Sequence, residues 1–231
     1  MLPEPPTGLP EAYTFGFPLV FNLDQVNRYV SEGVGANPAA PFNRFSHART
    51  LAGPEDTFVS INNDTLYSMA QIDLSVGPVL LSTPDTGGRY YVLQFVDAWT
   101  NNFAYVGHRA TGTSAQRFLL VPPGWEGSAP EGVRVIKAPT SVFSIVGRWA
   151  CTGVDDLPAV HALQDAATLT PLDGDAVGAG IPVPDARVSE DLLFLEKLRL
   201  WSQAFPPAPS DATALAALAP LGAATAGESP T

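Results

Sequence analysis

Through the middle of the chain, hydrophobic positions come in short β-type runs. Val79-Leu80-Leu81-Ser82 and Tyr90-Tyr91-Val92-Leu93-Gln94-Phe95-Val96 are rich in strand-favouring residues. Ala104-Tyr105-Val106, Arg117-Phe118-Leu119-Leu120-Val121, Val133-Arg134-Val135-Ile136 and the run from Phe143 to Trp149 continue the pattern. Turn signals separate them at Pro84–Gly88, Pro122–Gly124 and Pro130–Gly132. The spacing predicts an antiparallel β-sandwich or barrel over about residues 57–150. No long helical crossover interrupts it, so parallel pairing is not expected.

The ends of the chain change period. Tyr13, Phe17, Val20, Phe21 and Leu23 predict a helix over Glu11 to Glu32, broken or started by Pro18 and ended by Gly33 and Gly35. Asp155-Asp156-Leu157-Pro158 reads as an N-cap with proline in the first turn, followed by a short helix through Ala167. Ser189 caps a predicted helix to Phe205, with Leu192, Leu195, Leu198 and Leu200 on one face and Pro206-Pro207 as the stop. Ser210-Asp211 opens a last helix to about Ala219. The fold class is therefore α+β, an antiparallel sandwich or barrel flanked by N- and C-terminal helices. The expected organisation is a domain over 1–172, a Gly/Pro-containing linker over 173–188, C-terminal helices over 189–221 and a disordered tail over 222–231.

Composition narrows the function. Twelve Lys and Arg stand against 23 Asp and Glu, a formal net charge of −11 over 231 residues. Residues 1–56 carry −3, residues 57–150 carry 0 and residues 151–231 carry −8. Nucleic-acid binding and docking on an anionic membrane both need a basic footprint and are not expected. No apolar run approaches the roughly 18–20 residues of a membrane span, and the acidic, proline-rich start is no secretory signal, so a cytoplasmic location is expected. With Cys151 the only cysteine, an intrachain disulfide or multi-cysteine metal site is excluded.

A series of motifs carries a family resemblance. It runs from Asn62-Asn63-Asp64-Thr65-Leu66-Tyr67-Ser68 through Asp73-Leu74-Ser75, Pro84–Tyr91, Asp97–Phe103 and Gly107–Gly112. It continues through Pro123–Gly127, Ala138-Pro139-Thr140, Gly147-Arg148, Asp155–His161 and Thr170-Pro171-Leu172. In this order the motifs resemble the family called domain of unknown function 1254, over roughly residues 10–222. The resemblance implies no assigned activity and no named cofactor. Similar proteins usually continue into a second, β-rich domain (domain of unknown function 1214). This sequence stops just after Pro206-Pro207 and Asp211, which resemble the connection between the two. The resemblance thus implies a separate β-rich partner domain, a version that works alone, or a shortened sequence. The predicted apolar helix face at Leu192–Leu200 is what a partner would cover.

Within this frame, Asn62, Asn63 and Asp64 read either as a turn or as polar groups lining a pocket with Tyr67. Arg89 is a carboxylate clamp, or a bridge to Asp85 or Asp64. Tyr90 and Tyr91 must face opposite sides of a strand, and Tyr91 is taken as a ligand contact. Asp97 and Asn102 offer oxygens, but at no spacing that defines a cation loop, so no metal is assigned. Arg109 and Thr111 follow His108 in a turn, and His108 is the one histidine within the β-block. His47 and His161 form no His-x-x-x-His pair. Trp99 is a candidate pocket wall.

Two functions follow. One is a small-molecule site with Asp64, Asp97 or His108 as acid–base groups and Arg89 or Arg109 as an anion clamp. The other is a structural or interaction role, as a homo-oligomer or with a β-rich domain from another chain.

Overall fold

The computed structural model describes residues 8–56, 62–174 and 176–222. The start of the expected β-block at 57–61 and the tail from 223 lie outside the described residues. The elements are α1 (Leu9–Ser31), β1 (Phe45–His47), β2 (Thr65–Asp73), β3 (Val79–Thr83), β4 (Tyr91–Asp97), β5 (Asn102–Gly107) and β6 (Gln116–Val121). They continue with β7 (Arg134–Lys137), β8 (Val142–Ala150), α2 (Leu157–Ala166), β9 (Thr168–Pro171), α3 (Leu193–Ala204) and α4 (Ala212–Ala216). The chain forms two compact units. One holds residues up to Gln25, 98–100 and from Ile181 onward; the other holds 26–97 and 101–180.

The larger unit is two sheets, ordered β1-β2-β8-β4-β5 and β7-β6-β3-β9. Neither closes on itself, so the fold is α+β with a layered pair of sheets and not a closed barrel. The inward positions of both sheets share one apolar cluster. Leu66, Ile72, Tyr91, Phe95, Ile145 and Trp149 come from the first sheet; Val79, Leu81, Phe118, Leu120 and Leu169 come from the second. Alternation along β4 is complete: Tyr91, Leu93, Phe95 and Asp97 are buried and Val92, Gln94 and Val96 half-buried. All but one of the strand pairs are antiparallel. The exception corrects the expectation: β7 pairs parallel with β6. The twelve residues 122–133 between them supply the crossover length without any helix. The short strands β1 and β9 extend the two sheets; neither was expected.

Asp73 organises one edge of this unit. Its carboxylate accepts from Ser75 N at 2.8 Å and Gly180 N at 2.8 Å, while the Ser75 hydroxyl accepts from Ala179 N at 2.7 Å. A Cβ on Gly178 would lie 2.1 Å from Asp73 Oδ2, so only glycine fits there.

In the smaller unit, α1 runs through Pro18 without ending, correcting the expected break. Gly16 lets Leu198 of α3 approach: a Cβ there would sit 2.7 Å from Leu198 Cδ2. Lys197 pairs with Asp24 at 2.7 Å, and Trp201 Nε1 donates to Pro182 O. α3 also departs from expectation. Ser189 makes no side-chain cap, a 3₁₀ turn precedes the helix, and its buried side includes an ion pair, Arg199 to Glu196 at 2.8 Å. Leu195 and Leu198 are buried and Leu192 and Leu200 half-buried, so α3 presents no exposed apolar face. That face lies on α1 instead, where Leu9, Tyr13, Phe17 and Phe21 are 59, 53, 41 and 51% exposed.

Candidate functional site

The sequence-derived residues separate into two groups at opposite ends of the first sheet. β2 begins, β8 ends, β4 begins and β5 ends at one edge, because the strands alternate in direction. Asn62, Asn63, Asp64, Tyr67, Arg89, His108, Arg109 and Thr111 belong to that edge. Asp97 and Asn102 belong to the other, a strand of seven residues away, roughly 20 Å at strand rise. Asp64 and His108 share an edge but flank strands β2 and β5, with β8 and β4 between. Three strand spacings put their backbones roughly 14 Å apart. The three acid–base candidates therefore do not converge.

Local bonding explains where each goes. Asn62 Oδ1 accepts from Thr65 N at 2.9 Å and from the Thr65 hydroxyl at 2.6 Å, and its amide donates to Tyr67 Oη. This is a side-chain-built turn that starts β2. Asn63 and Asp64 are exposed. Arg89 bridges neither Asp85 nor Asp64. Its fork grips Asp156 at 2.6 and 2.7 Å, and Nη1 also donates to Ala150 O at 2.7 Å. Asp156 accepts in addition from Thr152 N at 3.0 Å. Hydrogen bonds from the Arg89 fork hold the Asp156 carboxyl well below the usual carboxylate range. Asp156 is thus the lock of the β8–α2 connection, not a helix cap.

The turn after β5 is similarly self-contained. The Thr111 hydroxyl accepts from Gly107 N at 3.0 Å. The Arg109 guanidinium lies over the Tyr90 ring at 5.5 Å, and His108 is exposed. Tyr91, expected as a ligand contact, is fully buried and stacked on Trp149 at 5.0 Å. At the opposite edge, Asp97 accepts from Asn101 N at 2.8 Å, and Asn102 accepts from Gln94 at 2.6 Å. Trp99 belongs to the smaller unit, where its indole donates to Phe205 O at 2.8 Å and packs on Phe15.

A buried polar cluster escaped the sequence reading. Ser68, fully buried, accepts from Trp149 Nε1 at 2.9 Å and Gln164 Nε2 at 3.3 Å. It shares a hydrogen bond with His47 Nδ1 at 2.7 Å. Burial, then the nearby Arg49 charge, pushes the His47 pKa from 6.5 down to about 4. Arg49 pairs with Asp165, and His161 meets Arg49 O at 2.9 Å. A Ser–His contact of this length suggests a nucleophile and its base, but Ser68 is closed to solvent. The arrangement joins β1, β2, β8 and α2. Nothing in the spacing of His47, Ser68 and Gln164 marks it; the β1–β2 register, with His47 opposite Ser68, creates it.

Cavities in the larger unit lie beside Tyr29 and Met69, beside Ser82 and Arg134, and beside Phe42 and Pro171. None is lined by any sequence-derived site residue. One of them, about 460 Å³, opens on the second sheet beside Ser82, Gln116, Arg117 and Arg134. Among the described residues, no three His, Cys, Asp or Glu side chains are grouped to hold a metal ion, and no helix is long and apolar enough to cross a membrane.

Comparison with known proteins agrees with this fold. The VPA0106 protein from Vibrio parahaemolyticus, a crystal structure, aligns with a TM-score of 0.76 at 21% identity over 96% of this chain. The chain spans 52% of that protein's length. An uncharacterized protein from Burkholderia cenocepacia aligns over 82% of this chain and 49% of its own, at 12% identity and a TM-score of 0.38. No curated protein matches. The model of the family described as "Protein of unknown function (DUF1254)" matches residues 42–171, which take in both sheets and α2, and the chain belongs to that family.

Proposed function

We propose that this domain is an interaction module that docks a second protein domain on the aromatic ladder of α1. The observation that carries the reading is the ladder itself. Tyr13, Phe17 and Phe21 stand one helical turn apart, with ring centroids 5.5 and 5.2 Å from one to the next, and Phe194 closes on Tyr13 at 4.8 Å. All three ladder rings are 41–53% exposed. A contiguous exposed apolar stripe on an otherwise packed fold is costly in water and marks a contact surface. With roughly 150–250 Å² per aromatic side chain, about half of each exposed, the ladder offers roughly 300 Å². That is the apolar centre of a standard interface of about 800 Å² per partner, completed by a polar rim.

Charge argues for the occupant. The described residues of the smaller unit carry seven acidic side chains against three basic ones. Two copies would bring like charges together, so the surface suits a partner with an apolar groove and a basic rim. The chain spans 52% of the Vibrio protein's length, so the rest of that protein is the place to look for such a partner. The fate of the sequence-derived site residues supports the same reading: Asn62, Arg89, Asp97 and Thr111 spend their polar groups on turns and locks.

The test mixes the purified chain with its own organism's counterpart of that second domain, followed by light scattering on a sizing column. A one-to-one complex is expected, lost in a Tyr13→Ser, Phe17→Ser, Phe21→Ser variant whose circular dichroism matches the parent. A complex that survives the triple substitution overturns the reading. So does a homodimer that the substitution abolishes, which would make the occupant a second copy.

A further inference from the structure

We propose that Gln71 holds a buried water molecule in the small cavity between β2 and the segment that follows α1. The reading does not depend on the docking surface of α1. Gln71 sits on β2 and is 4% exposed. Its Oε1 accepts from the hydroxyl of Ser144, on the neighbouring strand β8, at 2.6 Å. Its Nε2 is buried and makes no hydrogen bond to any described residue. Turning the amide over would give the nitrogen to Ser144 and leave the oxygen unbonded, so Gln71 lacks one partner in either orientation. A buried amide is nearly always met by protein or by ordered water.

The cavity meets the other requirements. Gln71 lines it, together with Gly33, Pro38, Arg44 and Ser46 from the segment between α1 and β1 and from β1 itself. In the sheet, β2 lies between β1 and β8, so these groups and Ser144 flank Gln71 from opposite sides. The volume, about 10 Å³, is that of one water and is too small for an organic ligand. A buried water needs further polar partners, and the lining offers acceptors. The Ser46 hydroxyl gives its hydrogen to Pro38 O at 2.5 Å, which leaves the Ser46 oxygen and the second lone pair of Pro38 O to accept. The segment is already tied to β1, where the Asn37 amide donates to Ser46 O at 2.9 Å. The water extends that tie to β2.

Two measurements on the intact chain test this. A high-resolution crystal structure should show a fully occupied water bonded to the Gln71 side-chain amide. Gln71→Met, which keeps the length of the side chain and loses its polar atoms, should lose that water. In solution, oxygen-17 relaxation dispersion should count one long-lived water fewer in the variant than in the parent. Empty density beside the amide in the parent overturns the proposal, and this arm decides the case even where the variant does not fold. A Gln71 amide bonded to protein through both atoms overturns it as well. So does a water that persists in Gln71→Met with an undiminished count, which would make the segment after α1 its holder. An anomalous peak at the site after a bromide soak would assign a halide held with Arg44 and overturn the water.

Discussion

Arg89 decides between a lock and a clamp, and its replacement by Met separates the two. The substitution keeps the aliphatic stem and removes the fork. Two charge-assisted bonds to Asp156 are lost, at 2.6 and 2.7 Å, together with one to Ala150 O at 2.7 Å. The two side chains are 23 and 16% exposed, so the pair is worth more than a surface bridge and less than a buried one. Counting the pair and the abandoned carbonyl gives a loss of about 2 kcal/mol. For a chain of this size that is a fall in Tm of about 4–8 °C. Acid supplies a second signature. Asp156 is held below its ordinary range in the folded state, so its contribution is complete above the unfolded carboxylate pKa of about 4 and is lost as pH falls below that. The gap in Tm between parent and Arg89→Met should therefore be full at pH 7 and narrow below about pH 4. Calorimetric melts of both proteins across that range make the measurement. A variant melting within 1 °C of the parent at pH 7, or a gap that does not close in acid, refutes the lock.

Other consequences are equally direct. His47 has its pKa depressed from 6.5 to about 4, so its stabilisation is complete above 6.5 and drains away as pH falls toward 4. Allowing for solvent reaching the half-buried ring, the loss is on the order of 1–2 kcal/mol. Proton NMR of the ring should show no titration between pH 7 and 5; a midpoint near 6.5 would sink the buried network. Gly178→Ala drives a Cβ onto Asp73 Oδ2, and breaking the Gly180 and Ser75 bonds should cost about 2–3 kcal/mol in urea unfolding. An unchanged midpoint would mean that the 178–180 segment simply shifts away. Trp99→Phe keeps the ring against Phe15 but loses the donor to Phe205 O, for about 1 kcal/mol. Equal stability would show that water replaces the indole at no cost.

The β-block and its turns were legible because strand propensity and Gly/Pro punctuation act locally. β4 through β6 and β8 fall where the runs Tyr90–Val96, Ala104–Val106, Arg117–Val121 and Phe143–Trp149 place them. β1 and β9, three and four residues long, carry too few positions for a period to register. The parallel entry of β7 leaves no local trace, since the loop that permits it has an ordinary turn composition. On α1 the period was legible but its orientation was not. Tyr13, Phe17 and Phe21 share a spacing with buried Val20 and Leu23, and only packing against α3, around Gly16 and Leu198, selects which stripe turns inward. For α3 the reverse holds: Glu196 and Arg199 neutralise each other and go inside, a pairing that hydrophobic patterning counts as polar surface.

The sequence by itself determined the α+β class, the family, the acidic balance and the positions of most strands, all properties of composition or of neighbours in the chain. Which polar groups meet was decided by tertiary structure alone. Strand direction placed Asp97 at the far end of the sheet from Asp64 and His108. Register set His47 opposite Ser68, a long-range bond sent Arg89 to Asp156, and the parallel strand brought Arg134 beside Phe118. Contacts between residues dozens of positions apart depend on how strands are ordered and aligned, and no local period encodes that order.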